Sequence, residues 1–483
     1  MSLACAYAVA LVGLDGRIVE VEAHTGPGLP RTILVGLPDT SLYEARDRCK
    51  AAVHSSQQTW PNTLLTINLS PATLPKQGSG YDLAIVTAVL AAADVVKAVE
   101  LRDTVLLGEL GLDGRVRPVR GVLPATLAAV QAGFRRVIVP YRQAGEAQLV
   151  DGIEVLGVAS LAQLIAVLQH EPVPDAEPVD LAPITPRVGT DVDLDLADVA
   201  GQLEAKWAVE VAAAGRHHLL FTGPPGVGKT MLAARLPGLL PDLTVAEALE
   251  VSAVHSLAGY DLSDGLVRRP PYAEPHHTAS MASIVGGGPG LARPGAVSCA
   301  HRGVLFLDEA PEFSVKVLEA LRVPLESGVI NLNRSHGLTR YPARFQLVMA
   351  ANPCPCGQSG MVGASCLCPP MAVRRYTAKL SAPIRDRVDI TQHFRPLKRH
   401  QLSTLTRGEP SAAVAARVEQ ARDRQERRLA GTGWHANSEV TGAYLRHHLP
   451  QPDGLHLLDR AAERGLLTPR GIDKAWRVSW TIA

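Results

Sequence analysis

HHLLFTGPPGVGKTMLAARLPGLL, residues 217–240, decides the fold of the chain that carries it. A strand-like run ends at Thr222. The next eight residues, Gly223, Pro224, Pro225, Gly226, Val227, Gly228, Lys229 and Thr230, match G-x-x-x-x-G-K-[ST]. Leu232, Leu236 and Leu239 then recur with helical period. Strand, Gly-rich turn, helix is the setting in which backbone amides point inward and cradle phosphates at a helix N-terminus. Lys229 would neutralise β/γ-phosphate charge and Thr230 would hold Mg²⁺. A chance Lys-Thr after a Gly-rich turn is the bland alternative, and the flanking elements argue against it.

Working outward, HRGVLFLDEAPEF (301–313) contains four apolar residues, Val304 to Leu307, ending in Asp308-Glu309. A carboxylate at the carboxyl end of a strand beside a phosphate loop can bind Mg²⁺, and the next can polarise an attacking water. A third strand, ARFQLVMAANP (343–353), ends in Asn352, whose amide can orient that water or simply cap a turn. LSAPIRDRVDI (380–390) offers Arg385 and Arg387, and LLTPRGIDKAWRVSWTIA (466–483) offers Arg470 near the start of the last helix.

The chain has 483 residues, too many for one ordinary core. Its composition, 46% hydrophobic and 20% charged, reads as soluble and globular rather than disordered. No apolar run reaches the ~20 residues of a membrane span, and MSLACAYAVALVGLDGRIVEV lacks a basic leader and reads as a first strand. A cytoplasmic protein with no membrane partner is the expectation. The formal net charge of +1 gives no global basic field, so contact with nucleic acid would need local patches or several subunits.

Residues 1–168 alternate apolar runs with Gly turns and two helical stretches, one of them YDLAIVTAVLAAADVV. HEPVPDAEPVDLAPITPRVGTDVDLD (170–195), with five prolines, reads as an exposed linker. From 196 strands alternate with helices, as in a parallel α/β sheet. Beyond about 400 the pattern turns helical and charged, as in AAVAARVEQARDRQERRLAG.

With DVAGQLEAKWAVEVAAAGRHHLLFTGPPGVGKT and PHHTASMASIVGGGPGLARPGAVSCAHRGVLFLDEA, the order of these motifs resembles the ComM/YifB family of magnesium-chelatase-like AAA+ ATPases over almost the whole chain. That resemblance implies an α/β multidomain fold: a Lon-protease-like α+β domain at 1–168, a linker at 169–195, a P-loop AAA+ core at 196–398 and a helical lid at 399–483. It also implies that Asn352 is sensor 1, Arg387 an arginine finger reaching a neighbour's ATP, and Arg470 sensor 2. Arg385 stands where the family usually has an apolar residue and could share the finger role. Relatives run some residues past Ala483, implying a slightly trimmed lid.

LPKQGSGYDLAIVTAVLAA and LLGELGLDGRVRPVRGVLPATLAAVQAGFRRVIVP carry the Lon-like similarity. The position of the protease's nucleophilic Ser is Gly80 here and that of its activating Lys is Leu123. The proteolytic dyad is therefore absent, because a hydroxyl without a base is a weak nucleophile. Family membership further implies a ring, usually a homo-hexamer, that hydrolyses ATP to move branched or single-stranded DNA, with recombination proteins as possible partners. A chelatase-type motor remodelling a protein, or a non-catalytic regulator, is the alternative.

ANPCPCGQSGMVGASCLCPP (351–370) crowds four of the seven cysteines, Cys354, Cys356, Cys366 and Cys368, into one insertion. Two C-x-C knuckles separated by Gly357, Gly360 and Gly363 suit a tetrahedral structural Zn²⁺; plain reduced thiols and a redox role stay open. Cys5, Cys49 and Cys299 read as ordinary buried cysteines. GVINLNRSHGLTRYPARF (328–345) reads as a hairpin with Arg334, His336 and Arg340 near its tip, able to form a positive ring around DNA or merely to be a solvated tip. His276 and His277 should point apart on a turn, which suits a structural or pore-loop role better than a metal site.

Overall fold

Alternation builds the first sheet. In β1 (Ser2–Val12) Ala4, Ala6, Ala8 and Ala10 are buried on one face. Such small side chains let a helix approach closely. The structure, a computed structural model, describes residues 2–36, 39–74, 76, 78–179, 194–288, 292–334, 337–359, 365–396, 408–451 and 453–483. β1 turns at Gly13 into β2 (Asp15–Gly26), and β3 (Arg31–Val35) and β4 (Leu64–Ser70) follow. With β5 (Thr104–Leu106), β6 (Arg136–Pro140) and β7 (Glu154–Val158) they form a seven-stranded sheet in the order β3-β4-β2-β1-β5-β6-β7. β2 runs antiparallel to β1 and β4, and the other neighbours are parallel.

Among the described residues, four helices of nine or more residues accompany this sheet: α1 (Asp39–Ser55), α2 (Asp82–Ala92), α3 (Val122–Gln131) and α4 (Leu161–Gln169). α2 is buried along its whole length, as a helix apolar on every side must be. The expectation of two helical stretches is too low. In α1 the buried Ala45, Cys49, Ala52 and Val53 do fall at helical spacing, but seven charged or histidine side chains among seventeen residues mask the stripe.

The second sheet is wholly parallel. Its strands are β8 (Leu219–Thr222), β9 (Tyr272–Ala273) and β10 (Val304–Leu307), and, after a hairpin of β11 (Val329–Arg334) and β12 (Gly337–Pro342), β13 (Gln346–Ala351) and β14 (Ile390–His393). Their order is β9-β10-β13-β8-β14. β10 and β13 are buried at every residue, the pattern of parallel strands covered on both faces. α5 (Leu203–Gly215), α6 (Lys229–Ala233) and α7 (Val245–Ala258) belong to this half.

The C-terminal part is helical: α8 (Ser411–Leu429), α9 (Gly442–His448), α10 (Leu455–Glu463) and α11 (Pro469–Ile482). α8 is tied to α5 by Arg422 and Gln425, which donate to the carbonyls of Ala213 and Ala214 in that helix's buried last turn, where no intrahelical partner remains. Residues 171–179 carry no regular structure; the rest of the expected linker, 180–193, lies outside the described residues.

The two sheets meet through α3 and α7. Leu123, Val150, Ala253 and Leu262 form one apolar cluster. Beside it the buried Glu146 accepts from Ser256 Oγ and from the Leu123 amide at 3.1 Å, and burial pushes its carboxyl above the ordinary range. The turn at Gly13 abuts β12: a Cβ there would stand 2.7 Å from the Arg340 carbonyl.

Candidate functional site

Three parallel strands end together, with Thr222 opposite Ala351 and Leu307 opposite Met349. The crevice beyond the carboxyl ends of such strands is where open α/β sheets bind ligands. β8 delivers the chain into residues 223–230, and Gly228, at φ 94, takes the left-handed conformation that starts α6.

Lys229 is the first helical residue. Its Nζ donates to the Gly223 carbonyl (2.6 Å), the Pro224 carbonyl (2.8 Å) and Asn352 Oδ1 (3.0 Å). Burial pushes this ammonium below its ordinary pKa, opposed by the charges of Asp308 and Glu309. Thr230 Oγ1 donates to Asp308 Oδ2 at 2.7 Å. A hydroxyl and a carboxylate converging from two elements are the hard oxygen donors that Mg²⁺ takes, so the residues fit that ion. Asp308 Oδ1 accepts from the Glu309 amide at 2.8 Å, and Glu309 takes the left-handed conformation, φ 48, which turns the chain sharply after β10.

Two residues here were not placed at this site by the sequence: His277 was seen without its partner, and Glu326 gave no signal. His277 Nδ1 lies 3.6 Å from Glu309 Oε2, and its ring stands edge-on to Phe313. The two histidines do not point apart as expected: their rings lie 4.2 Å apart, tilted by 33°, because His276 is drawn back by Thr278 Oγ1 at 2.7 Å. The other residue is Glu326. It accepts from both Arg387 Nη2 and Arg470 Nη2, the latter at 3.0 Å, and Arg470 Nη1 also reaches Asp386 Oδ2 at 3.0 Å. The two arginines of the family pattern, 83 residues apart in sequence (470 − 387), thus share one carboxylate. Arg385, two residues before Arg387, is exposed.

The hairpin forms as expected, but Arg340 is not at its tip. It pairs with Asn331 three rungs below the closing pair Arg334–Gly337 and stands exposed beside the β1–β2 turn. His336 lies outside the described residues. In the first half, Ser79 Oγ donates to Glu109, and Leu123, at the lysine position of a Lon dyad, is fully buried against α7. Cys49 and Cys299 are buried as expected, whereas Cys5 is only half-buried.

The four clustered cysteines do meet. Cys354, Cys356 and Cys366 have Sγ atoms 3.4–3.7 Å apart, and all four Sγ atoms fall within 4.8 Å of one another. Among the described residues they are the one group of three or more side chains placed to share a metal ion. Gly360 and Gly363 lie outside the described residues. No described helix is long and apolar enough to cross a membrane.

A phosphate loop between strand and helix, acidic residues at the end of a neighbouring parallel strand and an amide on the strand between define a P-loop nucleotide-binding protein of the AAA+ class. Comparison with known proteins narrows the class. Residues 195–402 match the family described as Magnesium chelatase, subunit ChlI, residues 21–143 match Subunit ChlI of Mg-chelatase, and residues 408–483 match its C-terminal family. An uncharacterized protein of Mycobacterium tuberculosis is 52% identical over 485 aligned positions, covering 100% of this chain and 95% of the relative. Competence protein ComM of Haemophilus influenzae is 40% identical, covering 100% and 94%, and YifB of Escherichia coli is 42% identical, covering 89% and 83%. Lon protease 1 of Myxococcus xanthus is 29% identical over 26% of this chain and 16% of its own. The chain belongs to the ComM/YifB family of magnesium-chelatase-like AAA+ ATPases.

Proposed function

We propose that the chain is an ATP-driven ring motor, a homo-hexamer in the cytoplasm, that moves branched or single-stranded DNA during recombination or natural transformation. The observation that carries the ATPase part is the convergence of Lys229, Thr230, Asp308 and Asn352 at the strand ends. In this reading residues 1–168, 169–195, 196–398 and 399–483 are the Lon-like domain, linker, ATPase core and lid. Lys229 leaves the two loop carbonyls for the β/γ-phosphates, while Thr230 and Asp308 hold Mg²⁺, which neutralises phosphate charge when bound. Glu309 takes the proton of the attacking water and Asn352 orients that water.

Arg387, gathered with Arg470 on Glu326, is the finger that reaches the neighbouring subunit's nucleotide, so hydrolysis waits for ring assembly, and Arg470 is sensor 2 in the lid. Arg340, with Arg334 and His336, supplies the basic ring that grips phosphates. The DNA reading draws support from the relative named a competence protein. A second reading, a motor that remodels a protein partner, draws on the matched chelatase families. Steady-state ATP hydrolysis with single-stranded, duplex and four-way-junction DNA separates the two. Stimulation greatest on branched DNA, and absent in Glu309→Gln, is expected; indifference to every DNA would favour the protein remodeller.

A further inference from the structure

The insertion that carries the four cysteines begins one residue past Asn352, and Asn352 itself holds Lys229. Cys354 is fully buried there. The Gly357 amide donates to the Cys354 carbonyl at 2.9 Å, closing a tight turn, and the Ser359 amide donates to Cys354 Sγ at 3.3 Å. Amides donating to sulfur are the outer-shell partners that fix and tune thiolate ligands.

The spacing of the sulfurs points to one metal ion. Zinc–sulfur bonds of about 2.3 Å arranged tetrahedrally put neighbouring sulfurs about 3.8 Å apart. The closest three pairs here are 3.4, 3.7 and 3.6 Å, close to that edge and far from bonded. An iron–sulfur cluster places inorganic atoms between its thiolates and spreads them more widely. Four soft ligands around one centre therefore suit zinc.

The knuckle touches the nucleotide site directly. Gly357 has φ 75, and a Cβ on it would stand 2.6 Å from Pro225 Cδ and 3.0 Å from Cγ. Pro225 is the third residue of the phosphate loop. The backbone of the first knuckle thus packs closely against Pro225 of the loop, while Asn352, two residues before Cys354, accepts from Lys229.

We propose that the four cysteines hold one zinc ion, and that the zinc-bound knuckle is the backstop of the phosphate loop, so that metal occupancy sets nucleotide affinity. The coupling rests on the reading that residues 223–230 bind nucleotide. Without the ion, the described residues 354–359 and 365–368 have almost no core of their own: among them only Cys354 and Gly357 are buried, and Cys356 is exposed. The ion ties both knuckles into one rigid body, as metal binding does in other small folds.

The test has two readouts on the full chain. Elemental analysis of the purified protein should find one zinc per chain, lost in Cys366→Ser/Cys368→Ser. Binding of a fluorescent ATP analogue should weaken about tenfold in that variant. Gly357→Ala keeps all four thiolates and should keep its zinc, yet weaken the analogue similarly, because the added methyl pushes Pro225 away. Iron or no metal in the unaltered chain would overturn the metal assignment. Zinc present but analogue binding unchanged in both variants would overturn the coupling alone. Failure of the unaltered chain to bind the analogue would sink the phosphate-loop reading, and the coupling with it, while zinc stoichiometry still decides the metal site.

Discussion

Two Gly-rich turns in this molecule precede a helix and carry a lysine, and only one of them makes a nucleotide site. In KQGSGYD, before α2, Lys76 lies six residues ahead of the helix, is 1% exposed, and spends its ammonium on the carbonyls of Pro71 and Leu74 (the latter 3.2 Å). In GPPGVGKT, before α6, Lys229 is the first residue of the helix and stands within reach of Asn352 and of the crevice at the strand ends. Both are glycine-rich and carry one lysine. Position relative to the helix N-terminus and to neighbouring strands decides whether a cation is a structural pin or can meet phosphate.

Leu123, which the Lon resemblance aligns with the protease's lysine, is core between α3 and α7. A lysine there would bury an ammonium against apolar neighbours, at a cost of several kcal/mol.

The comparison can be broken at three depths. The largest effect belongs to the site completed by a neighbour. Arg387→Ala should lower ATP hydrolysis by the assembled protein about 10³-fold or more, with nucleotide binding by the single chain retained, and Arg385→Ala should keep most of the rate. The reverse pattern in a paired rate and binding assay would move the finger role to Arg385.

Next come the two lysines. Lys229→Met should abolish tight binding of an ATP analogue. Lys76→Met should leave that binding intact and cost about 0.5–1.5 kcal/mol of stability, since two partly exposed carbonyls lose their donor. Calorimetry and analogue titration on the same two samples read both numbers; loss of nucleotide binding in Lys76→Met would erase the distinction.

The smallest effect is a pH slope. Asp82, in the helix after KQGSGY, pairs with Arg48 at 2.6 Å, yet burial outweighs that contact and lifts its pKa to about 6. The folded state holds this proton more tightly than the unfolded chain, whose value is about 4. The resulting stability is present in full below about pH 4 and is lost as pH rises through about 6. Asp82→Asn should therefore show a shallower fall in melting temperature over that window than the unaltered chain. Parallel melting curves would refute the assignment.

Much of this was legible in the chain. Val304–Leu307 and Leu219–Thr222 are strands because runs of four and three apolar residues between turn signals leave little else, and the motif between strand and helix announced itself through its glycines. What stayed hidden was long-range. Glu326, in the unremarkable PLESG, gains meaning only when Arg387 and Arg470 fold onto it. His277 could be seen but not its partner, because the 32 positions separating it from Glu309 (309 − 277) are closed by a parallel strand pairing that no local period encodes. The cysteine knuckle's contact with Pro225 joins segments 132 residues apart (357 − 225) and is invisible until both are placed.

The account turns on hydrolysis shared between neighbours, and a mixing experiment addresses it most directly. Glu309→Gln supplies an intact Arg387 but cannot activate water; Arg387→Ala has the opposite defect. Each alone should be nearly inactive, and mixing them should restore a substantial fraction of the unaltered rate, because some sites pair an intact Glu309 with a neighbour's intact Arg387. If the mixture stays as inactive as its components, or if Arg387→Ala alone hydrolyses ATP at the unaltered rate, the shared site is wrong.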